Sequence, residues 1–367
     1  MDSMRAARLH VPGGDFQIDE IPRPQPEGMD VVVQIKAAGV VPNLRNVMNN
    51  YGERAYLTVP DLPAIYGLDA AGVVVATGRE VTGITVGERV YINPGRSCGS
   101  CDDCRRGEAI NCLAYTFQGY FGFGPGSRDI YQRYPYGGFC EFATAPAAGL
   151  VKLPDAVSFE AASRFGYLGT AYSALRKAGI RAGSSVLING ATGTLGVGAV
   201  LLARAMGATR ILCVARKRPL LERLQAIDPQ RIRICPEHGA ELAAWARGET
   251  AGAGVDAVID TLGPTADSQA MLEAIEALRR GGKLVNVGGM SMPLTVNMHH
   301  LMCVQKSLIG SLWFTVGEGQ EMADLAAAGL LDLSVFDHQV FELDQVNDAL
   351  KLAEQRSGGF INVVIKQ

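Results

Sequence analysis

Four cysteines, Cys98, Cys101, Cys104 and Cys112, form the densest chemical feature of this chain. Four thiolates spaced Cys-x2-Cys-x2-Cys-x7-Cys suit one tetrahedral Zn²⁺ better than disulfides in a reducing compartment. An all-cysteine shell is closed and leaves no position for substrate. The cluster predicts a structural zinc lobe at about residues 95–113, with unrelated cysteines on a loop as the alternative. Cys140, Cys213, Cys235 and Cys303 are scattered in apolar contexts and read as buried thiols.

A second chemical signature lies in a glycine turn, Gly190-Ala191-Thr192-Gly193-Thr194-Leu195-Gly196. It follows a short apolar run, Val186 to Ile188, and opens an apolar helix from Leu195 to Met206 that stops at Gly207. Another apolar run, Ile211 to Val214, follows. Strand, glycine turn, helix and strand make a unit that cradles a dinucleotide diphosphate: the glycines admit the backbone and the helix N-terminus supplies N–H groups. Ala191 replaces one glycine of the strict pattern, and a tight turn in an ordinary α/β protein is the competing reading. The next strand ends in Ala215-Arg216-Lys217-Arg218, with no carboxylate for a ribose 2′-hydroxyl. Three cations at a helix start oppose the helix dipole, and they suit a 2′-phosphate. The predicted cofactor is NADP(H), with a solvated basic helix start as the alternative.

The elements that must position these groups fall into two kinds. Before about residue 150 the chain is rich in β-type runs with glycine and proline turns, such as Val31–Lys36 and Gly67–Val75. An aromatic insertion at 113–142 has no regular period and reads as a packed loop, over a site or on itself. After about residue 165 the pattern turns to α/β. Val255–Leu262 and Lys283–Val287 read as strands, and Met271–Arg280 as a helix stopped by Gly281-Gly282. Ser307–Trp313 reads as a last strand of that sheet, and Leu343–Gln355 as a final helix. At 367 residues with net charge -3 and pI near 6.0, nucleic acid and anionic membranes are not expected partners. No signal-like N-terminus or run of about twenty apolar residues stands out, so a cytoplasmic protein is expected.

Together these segments resemble the medium-chain dehydrogenase/reductase superfamily along nearly the whole chain. The cysteine lobe is similar to that of the zinc alcohol dehydrogenases, and the glycine turn looks more like the quinone oxidoreductase branch. The resemblance implies an α/β protein: a GroES-like β-rich catalytic domain at 1–165 and 315–367, and a Rossmann doubly wound parallel sheet at 166–314. The active site would lie in the cleft between them. Thr170, Gly190, Thr192, Gly193, Thr194, Leu195, Arg216, Lys217, Arg218 and Val287 are the implied cofactor contacts.

The same resemblance implies that a catalytic zinc is gone. Val41, Leu68 and Gly166 stand where the zinc enzymes carry their ligands, and none can ligate Zn²⁺. Other histidines do not rebuild the site: His299 and His300 are adjacent, and His10, His238 and His338 are isolated. Without a Lewis acid, a conjugated C=C is the easier hydride acceptor, because hydrogen-bond donors can hold the resulting enolate. Asn43 stands at the proton-relay position and is the expected donor. Tyr167 and Tyr66 are candidate proton donors, against simple core packing. Asp69 is expected to brace the cleft. Val41, Leu68 and Gly166 are expected to form a dry substrate pocket, widened at Gly166. The expected function is an NADPH-dependent reductase of conjugated enones or enals. A zinc-free alcohol dehydrogenase or ketone reductase, or an NADPH-binding protein without turnover, are the alternatives. A homodimer is expected, with Lys306–Phe314 as a pairing edge strand.

Overall fold

The computed structural model describes residues 2–52, 57–235 and 241–367; His238 lies outside them. Residues Ser185 to Gly310 build a six-stranded parallel sheet. Its strand order from edge to edge is Ile232–Ile234, Arg210–Val214, Ser185–Asn189, Val255–Asp260, Leu278–Asn286 and Ser307–Gly310. Val186, Leu187 and Ile188 are fully buried, as a strand covered by helices on both faces requires. The chain order reverses beside Ser185–Asn189, whose neighbours are Arg210–Val214 and Val255–Asp260, so a crevice opens at the carboxyl ends of these strands.

The β-rich body holds a seven-stranded sheet that includes Asp30–Gly39, Asp69–Thr77 and Arg89–Ile92. Two strands from the far end of the chain, Asp337–Glu342 and Ile361–Lys366, complete it: Val364 pairs with Gly39 and Ile365 with Ala38. The chain therefore leaves this body, forms the parallel sheet and returns.

Three local expectations change. The helix expected to reach Arg280 ends at Glu276, and the strand already begins at Leu278. Burial of Leu278 and its pairing with Val255 win over helix periodicity, and Gly281, with φ +71°, absorbs the register shift inside the strand. The aromatic insertion contains a helix, Ser127–Arg133. Cys303 is exposed, because it lies on the outer face of the short helix Met298–Val304.

Candidate active site

The glycine turn forms as its sequence demands. Gly190 has φ +86°, and a Cβ on Gly196 would lie 2.3 Å from the Gly190 carbonyl oxygen. Only glycine lets the helix Thr194–Ala205 approach the strand end this closely. Gly193 caps that helix without a side-chain hydrogen bond, so its first N–H groups face an open groove. The groove encloses about 520 Å³ and is lined by Gly190, Thr192 and Gly193. Arg216 and Lys217 line its far side, and Glu273 is the one carboxylate among the described lining residues.

Arg218 stands apart. It opens the next helix, bonds Glu222 at 3.1 Å and the Cys235 carbonyl at 3.4 Å, and does not line the groove. The expected cluster of three cations is therefore two in the groove. Thr170 donates its hydroxyl to the Gly166 carbonyl at 2.8 Å. Val287 packs half-buried against the core, and its neighbours Gly288 and Gly289 line the cleft in its place.

A second cavity of about 810 Å³ joins the groove at Gly193 and runs into the cleft between the two bodies. Thr194 and Leu195 line one side, and Asn43, Asn46, Arg164 and Tyr167 line the other. No described lining residue of this cleft is acidic. Asn43 precedes the short helix Leu44–Met48 but makes no capping bond; its Oδ1 accepts from Asn46 Nδ2 at 2.7 Å. That bond turns the Asn43 amide into an exposed donor, with its carbonyl already engaged. Tyr167 is half-buried, and its hydroxyl bonds no described residue. Burial pushes its pKa up, so it stays a protonated phenol, although the Arg164 guanidinium lies 5.5 Å from its ring centroid.

Tyr66 is not in the cleft. It is fully buried against Phe16, and its hydroxyl sits 2.6 Å from that of Tyr51. Tyr51 donates to the Pro60 carbonyl, so the Tyr66 proton is held on Tyr51. Its apolar neighbours made a core position more favourable than the cleft.

The widened pocket at Gly166 is also absent. The pairing of Gly39 with Asp69 leaves Val41 and Leu68 just beyond the same strand ends, where Gly166 abuts Asp69. None of the three lines the cleft cavity. The Asp69 carboxylate and the Trp313 indole fill the space beside Gly166: a Cβ there would meet Asp69 Oδ1 at 2.3 Å and Trp313 Cη2 at 2.7 Å. Tyr91 donates to Asp69 Oδ1 at 2.6 Å, and Trp313 Nε1 donates to Asn93 Oδ1 at 2.9 Å. Burial raises the Asp69 pKa to about 7 against the Tyr91 and Gly166 hydrogen bonds. The aromatic insertion packs on itself and on this plug, with Phe117 4.6 Å from Trp313, and contributes nothing to the cleft lining. Arg356 lines both the groove and the cleft; it, Trp313 and Arg164 escaped the sequence reading because the groups they meet lie far away in the chain.

The four lobe cysteines converge. Their sulfurs all lie within 4.8 Å of one another, with Cys101–Cys104 at 3.5 Å and Cys98–Cys112 at 3.6 Å. Tetrahedral Zn–S bonds of about 2.3 Å require S···S separations of about 3.8 Å. Backbone N–H groups of Cys101 and Ala114 point at the Cys98 and Cys112 sulfurs, at 3.4 Å each. Such donors stabilise thiolates, and the donor set fits a structural zinc.

The alcohol dehydrogenase GroES-like domain family matches residues 27–155, and the zinc-binding dehydrogenase family matches residues 194–328. An alcohol dehydrogenase of Geobacillus stearothermophilus is 31% identical over 348 residues, 94% of each chain. The chain belongs to the medium-chain dehydrogenase/reductase superfamily. It is an oxidoreductase of that group. The acryloyl-coenzyme A reductase of Metallosphaera sedula is 29% identical over 276 residues, 74% of this chain and 73% of the relative. A zinc-binding dehydrogenase structure from Sinorhizobium meliloti, bound to NADP, superposes with a TM-score of 0.83 over 100% of both chains at 22% identity, a likeness of fold. No described helix is long and apolar enough to cross a membrane.

Proposed function

We propose that this superfamily member is an NADPH-dependent reductase of a conjugated C=C bond in a small, mostly apolar enone, enal or related acyl compound. The observation that carries this reading is the space beside Gly166, which Asp69 and Trp313 fill: Val41, Leu68 and Gly166 offer no ligand atom, and the lone carboxylate there, Asp69, is buried and bonded to Tyr91. The cleft instead offers a neutral amide donor, Asn43, and a protonated phenol, Tyr167. NADP(H), when bound, supplies the hydride. Asn43 Nδ2 would hold the oxygen on which negative charge collects, and Tyr167 would hold the proton for the adjacent carbon. Arg216 and Lys217 in the groove support a 2′-phosphate. The name of the M. sedula relative specifies a conjugated thioester as its substrate.

A ketone or alcohol substrate is the second reading, favoured by the G. stearothermophilus relative's name. NADPH oxidation measured across enones, enals, acryloyl thioesters, ketones and quinones separates the two. Turnover confined to ketones would overturn the first reading, and no turnover with tight NADPH binding would leave a cofactor-binding protein.

We further propose a homodimer paired through the edge strand Ser307–Gly310, where Leu308 in the strand and Leu312 just after it are more than a third exposed. Light scattering at micromolar concentration checks it, and a stable monomer would refute it. A reducing, cytoplasmic setting suits the free thiol cluster.

A further inference from the structure

The short helix Met298–Val304 carries the sequence Met-His-His-Leu-Met-Cys-Val. Asn297 caps it by accepting from His300 N at 2.9 Å, and Gln305, with φ +55°, ends it. At 3.6 residues per turn, Met298, His299, Met302 and Cys303 share an arc of about 140°. Leu301 and Val304 lie opposite; Leu301 is buried and Val304 partly so. The outer face is therefore built of nitrogen and sulfur donors. Met298 and Met302 are 69% and 66% exposed, and His299 and Cys303 are exposed beside them. His299 and Cys303, four residues apart, already meet: Cys303 Sγ lies 3.8 Å from each ring nitrogen. Metal bonds of about 2.3 Å to sulfur and 2.0 Å to nitrogen, opened to about 120°, separate the two atoms by about 3.7 Å. Rotation of the exposed imidazole turns either nitrogen toward such an ion.

We propose that this face binds Cu(I), with a ring nitrogen of His299, Sγ of Cys303 and Sδ of Met302 as ligands. Met302 is three residues from His299 and next to Cys303, so its thioether lies on the same turn of helix. Among the described residues, only the cysteine lobe gathers three or more Cys, His, Asp or Glu side chains around one point. The third donor on the helix is thus a thioether, which suits Cu(I) and is not a usual ligand of Zn²⁺. On binding, the Cys303 thiol releases its proton to water as the sulfur–copper bond forms, and no electron is transferred. The site is independent of the reductase reading.

The test uses the zinc-loaded full chain without oxygen and offers Cu(I) as its complex with the coloured chelator bathocuproine disulfonate. The parent chain should withdraw one Cu(I) while its zinc content stays constant. Cys303→Ser and His299→Ala should each weaken uptake by about 100-fold or more, and Met302→Leu by about 10-fold. All three side chains are exposed, so the Tm of each variant should match the parent. Copper uptake that releases zinc and persists in Cys303→Ser would place the ion in the lobe and overturn the proposal. Uptake lost in Cys303→Ser but unchanged in His299→Ala and Met302→Leu would overturn it too, by showing a bare surface thiol. No uptake by the parent chain, with a lowered mass by light scattering for Met298→Ser and Met302→Ser, would overturn it in favour of a face covered by a second copy.

Discussion

Gly166 and Asp69 are in contact so close that one added methyl group on the glycine would stand 2.3 Å from the carboxylate oxygen. Trp313 closes the same space from the other side, at 2.7 Å. Gly166→Ala must therefore displace a buried carboxylate or a buried indole. The expected loss is about 1–3 kcal/mol of stability, as for overpacking elsewhere, read as a lowered Tm. An unchanged Tm would mean that the space beside Gly166 is open.

Asp69 predicts a pH dependence. Burial lifts its pKa to about 7 in the folded chain, against about 3.9 unfolded. The folded state then binds the extra proton between these values. Stability from this group is fully present below about pH 4 and is lost as pH rises through about 7, at up to roughly 1.4 kcal/mol per pH unit. Asp69→Asn, which resembles the protonated acid and keeps an acceptor for Tyr91, should flatten that slope. Urea denaturation at pH 5, 6, 7 and 8 checks it; parallel profiles for the two proteins would contradict it.

Metal analysis should find one zinc per chain, held by Cys98, Cys101, Cys104 and Cys112. Two per chain would reveal a second site. Cys101→Ala should loosen the lobe and lower Tm. The cleft lining contains no lobe residue, so kcat of the folded fraction should change little.

Replacing Arg216 and Lys217 together by neutral residues should weaken NADPH by one to three decades in Kd, or about 2–4 kcal/mol, while sparing NADH. Replacing Arg218 alone should do much less, because its guanidinium is turned to Glu222 and the Cys235 carbonyl. Equal loss of both dinucleotides in the double variant would rule out a 2′-phosphate contact.

Asn43→Ala should lower kcat by roughly 10²-fold, the scale of one oxyanion donor, with little effect on NADPH binding. The side chain caps no helix, so Tm should fall only slightly. A large Tm loss with kcat intact would return Asn43 to a structural role and leave Tyr167 as the residue to test.

The local features were legible in the sequence because their physics is local. Cysteine spacing announces a tetrahedral thiolate cage, and strand, glycine turn and apolar helix are short-range patterns. Helix ends were less legible: at Leu278 burial against Val255 overrode the pattern that placed a stop at Gly281-Gly282.

Tertiary structure alone decided what surrounds each candidate side chain. Tyr66 and Tyr167 are equally plausible phenols in a sequence, yet one is locked on Tyr51 in the core and the other stands in the cleft. The sequence determined that Val41, Leu68 and Gly166 cannot bind zinc, because ligation is a property of side-chain type. It did not determine that Asp69 and Trp313 occupy the space at Gly166, nor that Arg356 lines the same groove as the glycine turn. Those contacts join residues separated by long stretches of chain, and their closeness is set by how the sheets and the returning C-terminal strands pack.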